Sequence, residues 1–162
     1  MALVASVVAG KVAQLLAANL GAAAAEVQTQ SGAPAPQLSA AQVVSGNAPP
    51  DLVEKATGAQ YPQFRVSCER VTNSLREKFR TFSGQAQVVV ETLVTQDRLE
   101  GIEDQLQACV ESVTTVLDQN RGDWGEGALY NGGYDIAFGA VKYGGRNFLQ
   151  SARVTITVDV SK

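Results

Sequence analysis

Residues 97–122 repeat their hydrophobic and polar positions with the period of an α-helix. At about 100° per residue, the apolar side chains share an arc of roughly 120° and the acidic ones lie opposite. The apolar stripe consists of Leu99, Ile102, Leu106, Cys109, Val110, Val113, Val116 and Leu117. Asp97 and Glu100 have the spacing of a capping box, while Arg121 and Gly122 are typical of a helix C-terminus. The pattern predicts an amphipathic helix that lies on a core.

Four other stretches have the composition or the period-two alternation of β-strands. They are a strand beginning near Tyr61, in which Phe64, Val66 and Cys68 alternate with polar residues, and then residues 85–94, 134–143 and 148–160. Alternation in the first of these predicts a sheet with one solvated face. The fold class predicted is α+β, with a four-stranded, largely antiparallel sheet in the order β-β-α-β-β and one covering amphipathic helix.

Glycines mark two connections in the second half of the chain. Gly144 and Gly145 predict a tight hairpin turn between the last two strands, because such turns need positive φ. Residues 122–133 contain five glycines together with Trp124 and Tyr130, which predicts a shaped loop without regular structure.

The N-terminal region differs in composition from the rest. Residues 1–25 are rich in Ala, Val and Leu and predict a helix that docks on the domain or on a neighbouring molecule. Residues 26–50 carry four prolines among small uncharged residues, which predicts a linker or extended arm, and residues 51–58 fit one short helix. The domain division predicted is therefore 1–58 for the N-terminal helix and Pro/Ala-rich arm and 59–162 for the α+β domain.

Residues 1–25 also allow two other interpretations, a signal peptide and a membrane span. Residues 22–25 resemble a signal-peptide cleavage site, but the basic residue of this stretch, Lys11, lies in its middle instead of ahead of the apolar run. A membrane span is not expected, because no run of about 18 uncharged apolar residues exists. The docking helix is the preferred interpretation.

Composition narrows the chemistry open to the chain. It has 162 residues, 45% hydrophobic, a net charge of −3 and no histidine. A negative net charge argues against a nucleic-acid-binding protein, and the lack of histidine removes the usual catalytic triads and most zinc sites. Cys68 and Cys109 are expected to be buried free thiols. The sequence therefore predicts no enzyme activity, cofactor or metal.

Two groups of residues invite a more specific chemistry. Glu100, Glu103 and Asp104 share a helix face and could bind a hard cation, although this arrangement is more typical of a hydrated or interface surface. The glycines of GDWGEG follow a helix instead of a strand, which argues against a phosphate-binding loop.

Charge is distributed unevenly along the chain. Between Arg65 and Arg80 there are five basic and two acidic residues, whereas between Glu91 and Asp118 there are seven acidic and one basic. Both stretches could be ordinary hydrated faces. Alternatively, the basic loop (residues 73–83) of one copy meets the acidic helix of the next, a heterologous contact that closes into rings or runs on as fibres. The candidate interface residues are Arg76, Lys78, Arg80, Glu100, Glu103, Asp104, Glu111, Trp124 and Tyr130.

Residues from about Tyr61 to Val160 resemble the tail terminator, or tail completion, proteins of tailed bacteriophages. The similarity rests on YPQFRVSCERVTN, KFRTFSG before a Val-rich strand, LDQNRGDWGEG, Tyr134, the GGRNF turn and a long alternating last strand. It covers about 100 of the 162 residues. The resemblance implies an α+β fold and a six-membered ring on the end of the tail tube that stops tube growth and joins the tail to the head.

These observations together predict a structural virion protein of the phage tail or neck, assembled in the host cytoplasm. Its expected partners are copies of itself, the tail tube protein and a head-completion or connector protein. DNA would pass through the lumen without specific binding, and no membrane partner is expected. The alternatives are a head-closure adaptor, the tail tube protein itself, or an exported α+β binding module whose signal is residues 1–25.

Overall fold

The computed structural model of the chain describes residues 4–32, 37–46, 61–143 and 145–162. The fold is α+β, and among these residues two helices, α1 (Val4–Ser31) and α2 (Ile102–Gln119), pack against a mixed sheet. The strands of the sheet are β1 (Val43–Ser45), β2 (Gln63–Asn73), β3 (Ser83–Gln96), β4 (Gly122–Gly125), β5 (Ala128–Tyr130), β6 (Asp135–Phe138), β7 (Lys142–Tyr143) and β8 (Phe148–Ser161).

The sheet is larger than the four strands predicted. Its described strands follow the order β1-β2-β3-β8-β5-β4, and β6 and β7 also pair with β8. The pairing of β1 with β2 is parallel, and the other pairs are antiparallel. At its centre, β3 and β8 pair without interruption from Ser83 opposite Ser161 to Gln96 opposite Phe148. The strands predicted from near Tyr61, at 85–94 and at 148–160 are confirmed, whereas the one predicted at 134–143 is divided into β6 and β7.

The structure also differs from the prediction in segments that are rich in glycine or that contain only short strands. Residues 122–133, predicted to lack regular structure, contain the hairpin of β4 and β5. Gly145 has the positive φ expected of the turn before β8, at +90°, while Gly144 lies outside the described residues. β1 and the start of β2 form an edge of the sheet that the alternation alone did not predict.

Helix α2 begins later than predicted and without the predicted cap. Gly101, with φ at +82°, is its N-cap, and no side chain caps the first turn. The turn leading into the helix is held instead by Gln96, whose Nε2 donates to the carbonyl oxygens of Arg98 (2.7 Å) and Glu100 (2.6 Å). The prediction that Asp97 and Glu100 form a capping box is therefore wrong. The prediction that Gly122 is the C-terminal glycine of the helix is also wrong, because the helix ends at Gln119 and Gly122 begins β4.

The apolar face of α1 packs the N-terminal region against the rest of the domain. The side chains at every fourth position, Val4, Val8, Val12, Leu16 and Leu20, are buried in one core cluster with α2 and the sheet. Helix α1 packs over β1 and β2, and α2 over β3 and β8. Two helices therefore cover the sheet where one was predicted, and the prediction that residues 1–25 form a docking helix is confirmed.

Helix α1 also has the length and composition of a membrane-spanning helix, with a mean hydropathy of 1.4 over its most apolar 18 residues. A third of that window is buried inside the protein. Packing of its every-fourth-residue stripe against the core accounts for that part of its apolar character.

The arm predicted at residues 26–50 is wrong over residues 26–31, which continue α1, and its later described part packs on the domain. Leu38 is buried, Ala40–Gln42 form one turn of 3-10 helix, and Val43–Ser45 add β1 to the sheet. The backbone N–H of Ser39 donates to the side-chain oxygen of Gln42 over 2.8 Å, which fixes the entry to that turn. The short helix predicted at 51–58 lies outside the described residues.

The sheet face opposite the helices is only partly solvated. Arg65, predicted to face solvent, is 3% exposed, as is its neighbour Gln63, whose Oε1 accepts from the Arg65 guanidinium over 3.1 Å. Leu93, opposite Gln63 on β3, is fully buried. Alternation along β2 therefore identified correctly which residues lie on each face of the sheet. It did not predict that the face opposite the helices is buried near Gln63 and Arg65.

We expect substitution of Leu16 by Ala to destabilise the whole domain, because Leu16 is fully buried between α1 and the core. Removing a buried leucine typically costs about 2–5 kcal/mol. Urea unfolding followed by circular dichroism should show one transition with a lowered midpoint. Gln14→Ala on the exposed side of α1 is the control and should change the stability by less than about 0.5 kcal/mol. An unchanged midpoint for Leu16→Ala would mean that α1 is not part of the cooperative core.

Candidate self-assembly surfaces

The basic loop, residues 73–83, connects β2 to β3 and is held firmly at its base. The side-chain oxygen of Asn73 accepts from the backbone N–H groups of Leu75 (3.3 Å) and Ser83 (3.1 Å). The C-terminal residue, Lys162, exchanges backbone hydrogen bonds with Phe82 at 2.8 and 3.0 Å. Phe82 itself is buried in the core. The base of the loop is thus anchored to both β2 and β8, which fixes the direction in which the rest projects.

The three predicted basic residues of this loop are exposed. Arg80 forms a solvent-exposed ion pair with Glu77 at 3.5 Å, and Glu77 also accepts from the hydroxyl of Ser161 over 2.7 Å. Arg76 and Lys78 make no ion pair with any residue that the structure describes. An exposed ion pair contributes little to stability, so these charges do little for the fold of the chain itself.

The acidic face consists of Glu100, Glu103, Asp104 and Glu111, all exposed on α2 or in the turn before it. Asp104 and Glu111 are seven residues apart, two helical turns, and so lie on the same side of the helix. In the described parts of the chain none of the four carboxylates has an ion-pair partner. Asp118, two turns farther on, is different because it pairs with Arg121 at 2.8 Å.

The basic loop and the start of the acidic face lie at opposite ends of the sheet. The basic loop leads into β3 at Ser83, and the turn to Glu100 follows the end of β3 at Gln96. Fourteen residues of extended chain span roughly 40 Å. Within one copy, Glu100 and the carboxylates next to it are therefore too far from the basic loop to neutralise it.

Trp124 and Tyr130 lie in the β4–β5 hairpin and mainly serve its structure. The Trp124 indole N–H donates to the carbonyl oxygen of Asn120 over 2.7 Å, and its ring lies 5.2 Å from that of Tyr130. Tyr130 is fully buried, and its hydroxyl donates to the carbonyl oxygen of Gly133 over 3.0 Å. Burial raises the pKa of Tyr130 to about 12. Tyr130 therefore offers no exposed surface to a partner, while Trp124 is half-buried.

Sequence reasoning missed a polar network on the sheet face away from the helices. Arg153 of β8 forms an ion pair with Glu69 of β2. Asp159 accepts from Gln85 (3.0 Å) and from Asn131 (2.6 Å), which ties β3 and the segment after β5 to β8. The apolar and polar alternation of β8 predicted that Arg153 and Asp159 lie on the same face of the sheet. It could not predict their hydrogen-bond and ion-pair partners, because these depend on the register between strands.

Phe79 was also missed as a feature of the basic loop. Its side chain is fully exposed, and its backbone adopts the left-handed conformation, with φ at +70°. A side chain in that conformation costs about 1 kcal/mol. The sequence signal was an aromatic residue between two basic ones, Lys78 and Arg80, in a stretch that breaks the strand pattern.

The cysteines and the acidic residues offer little reactive chemistry. Both cysteines are free thiols: Cys109 is buried, as predicted, and Cys68 is half-buried. Burial raises the pKa of the Cys109 thiol to about 12, and it also raises the pKa of Cys68. Among the described residues no group of three or more His, Cys, Asp or Glu side chains could hold a metal ion. The basic loop and the acidic face are distinguished instead by where their exposed charges lie.

No protein-family model matches the chain, and no curated protein matches it.

We expect Gly127→Ala to destabilise the β4–β5 hairpin more than Gly125→Ala does. Both glycines have positive φ, at +79° and +84°, so both substitutions strain the backbone. A Cβ at Gly127 would also lie 2.0 Å from the carbonyl oxygen of Ser161, whereas one at Gly125 meets nothing within 4 Å. Urea unfolding followed by the fluorescence of Trp124, the sole tryptophan, measures the difference. Equal losses of stability would show that the close approach to Ser161 does not constrain the hairpin.

Proposed function

We propose that this chain is a structural, non-enzymatic virion protein that forms a ring at the head-proximal end of a phage tail tube. In this role it stops growth of the tube and joins the tail to the head. The observation that carries the proposal is that the basic loop and Glu100, at the start of the acidic face, lie at opposite ends of β3. The resemblance of residues from about Tyr61 to Val160 to tail terminator proteins supports the assignment to a phage tail.

The separation of the two surfaces favours repeated contacts between copies. A basic surface at one end and an acidic surface at the other are complementary only between different copies, which makes the contact heterologous. Every copy then uses both surfaces, and repetition gives either a closed ring or an open filament. The ring, implied by the resemblance to tail terminators, would have six members and a lumen through which DNA passes without specific binding.

The neighbours of the ring would be the tail tube protein on one side and a head-completion or connector protein on the other. Electron microscopy of the purified chain, alone and mixed with tail tubes, tests this arrangement. We expect closed rings that bind tube ends and prevent further growth. Open polymers would favour the tail tube protein as the identity of the chain, and particles that leave tube ends uncovered would contradict the terminator function.

Reversing Arg76, Lys78 and Arg80 to Glu should leave the fold intact and block ring formation. These side chains are exposed and contribute little to the core, whereas in the ring they would face the carboxylates of the next copy. Circular dichroism should report the folded chain, and sedimentation velocity should report loss of the assembled species.

A matched variant separates complementarity from a mere change of net charge. Reversing Glu100, Glu103 and Asp104 to Lys in the same chain restores opposite charges at the two surfaces and should restore assembly. Reversal of Arg70 to Glu, at an exposed position on β2 outside both surfaces, should leave assembly unaffected. Normal assembly by the first variant, with its three basic residues reversed, would discard the charge-complementarity mechanism.

A further inference from the structure

Phe79 projects from the basic loop without any role in the fold of its own chain. The side chain is fully exposed and is flanked by Lys78 and Arg80, which are exposed as well. Its left-handed backbone conformation is one that Asn, Asp and Gly adopt more readily than a bulky residue. Aromatic side chains are enriched at protein interfaces, where a second molecule covers them.

A hollow that fits such a side chain lies at the other end of the sheet. It has a volume of about 330 Å³ and lies between the turn before α2 and the segment that leads into β7. Its apolar lining comes from Leu99, Ile102 and Val141, and Glu103 and Asp104 line it as well. Leu99 is 58% exposed although its position belongs to the apolar stripe of the helix sequence. A cavity of about 150 Å³ is enough to hold a benzene molecule, so an aromatic ring fits here.

The two features match in both polarity and charge. On the basic loop an aromatic ring is flanked by cations, and at the hollow apolar side chains are flanked by carboxylates. A buried aromatic anchor within a polar rim is the usual arrangement of an energetic hot spot in a protein interface. The roughly 40 Å length of β3 keeps Phe79 from reaching the hollow of its own copy.

We propose that Phe79 of one copy inserts into the hollow formed by Leu99, Ile102 and Val141 of the next copy, with Lys78 and Arg80 facing Glu103 and Asp104. This proposal rests on the self-assembly in the proposed function and names the contact that forms it. Each copy then carries one projecting ring and one hollow, so the contact repeats in one direction around the assembly.

Two single variants disable the two halves of the contact. Phe79→Asp places a charged residue that tolerates positive φ at a fully exposed position, and Leu99→Arg fills the entrance of the hollow from an exposed position. Neither change touches the buried core, and circular dichroism with urea unfolding checks that both variants remain folded. Alone, each variant should be monomeric in size-exclusion chromatography with light scattering.

An equimolar mixture of the two variants provides the decisive measurement. One intact hollow on Phe79→Asp and one intact phenylalanine on Leu99→Arg allow a single competent contact, so the mixture should give a heterodimer and nothing larger. Phe138→Ala, which removes another exposed aromatic side chain, is the control and should assemble like the wild type. A monomeric mixture, or normal assembly by Phe79→Asp, would overturn the proposal.

The outcomes also separate this proposal from the proposed function. If the wild type forms rings that cap tail tubes and Phe79→Asp does so equally well, the contact is wrong and the ring function stands. If the variants behave as expected but the wild-type assembly does not bind tube ends, the contact stands and the tail function falls. A wild type that is monomeric both alone and with tubes overturns both.

Discussion

The uninterrupted pairing of β3 with β8 is the constraint on which the rest of the structure depends. Each strand has 14 residues, and the register holds from one end to the other. Because every second side chain of both strands points to the helices, the pair forms the sheet side of the core along its whole length. It also fixes how far apart the two ends of the molecule lie, and with them the basic loop and the start of the acidic face.

The two helices make this long pair stiff. A two-stranded ribbon alone is only marginally stable, whereas strands packed under a helix gain the burial of their apolar face. Helix α2 lies over β3 and β8, and α1 packs beside it over β1 and β2. The side chains of Val12, Val90 and Ile156 belong to one core cluster. A charge placed at either end of the sheet is therefore held in a fixed position relative to the other end.

The parts of the fold that could be predicted are those whose pattern is long and repetitive. The alternation from Phe148 to Val160 and the apolar stripe from Ile102 to Leu117 each repeat often enough to determine the element and its buried face. Both elements appear as predicted, apart from the ends of α2, which stops at Gln119 instead of at Gly122 and starts only at Ile102. There the turn depends on a left-handed Gly101 and on the side chain of Gln96, and neither follows from a periodic pattern.

The rest of the fold depends on contacts between residues far apart in sequence. The three residues of β1 become a strand only because β2 offers a free edge, and β4 and β5 form because β8 continues past Val158 to pair with Ala128 and Leu129. The candidate charged residues could be predicted from the distribution of charge along the sequence. Their separation follows from the position of β3 between them, whereas the exposure of Phe79 depends on the conformation of a nine-residue connection between strands.

The distance between the basic loop and the start of the acidic face is the basis of our proposal that their charges meet between copies and not within one. A flexible connection would let a basic loop fold back onto a nearby carboxylate, as Arg121 does with Asp118 three residues away. The base of the basic loop is instead held by Asn73 and by the backbone of Lys162, and Arg76 and Lys78 form no ion pair with any residue that the structure describes. In the proposed assembly, their electrostatic complement comes from another copy. The same molecule presents that complement at its far end, which is the condition for an assembly that repeats a single contact.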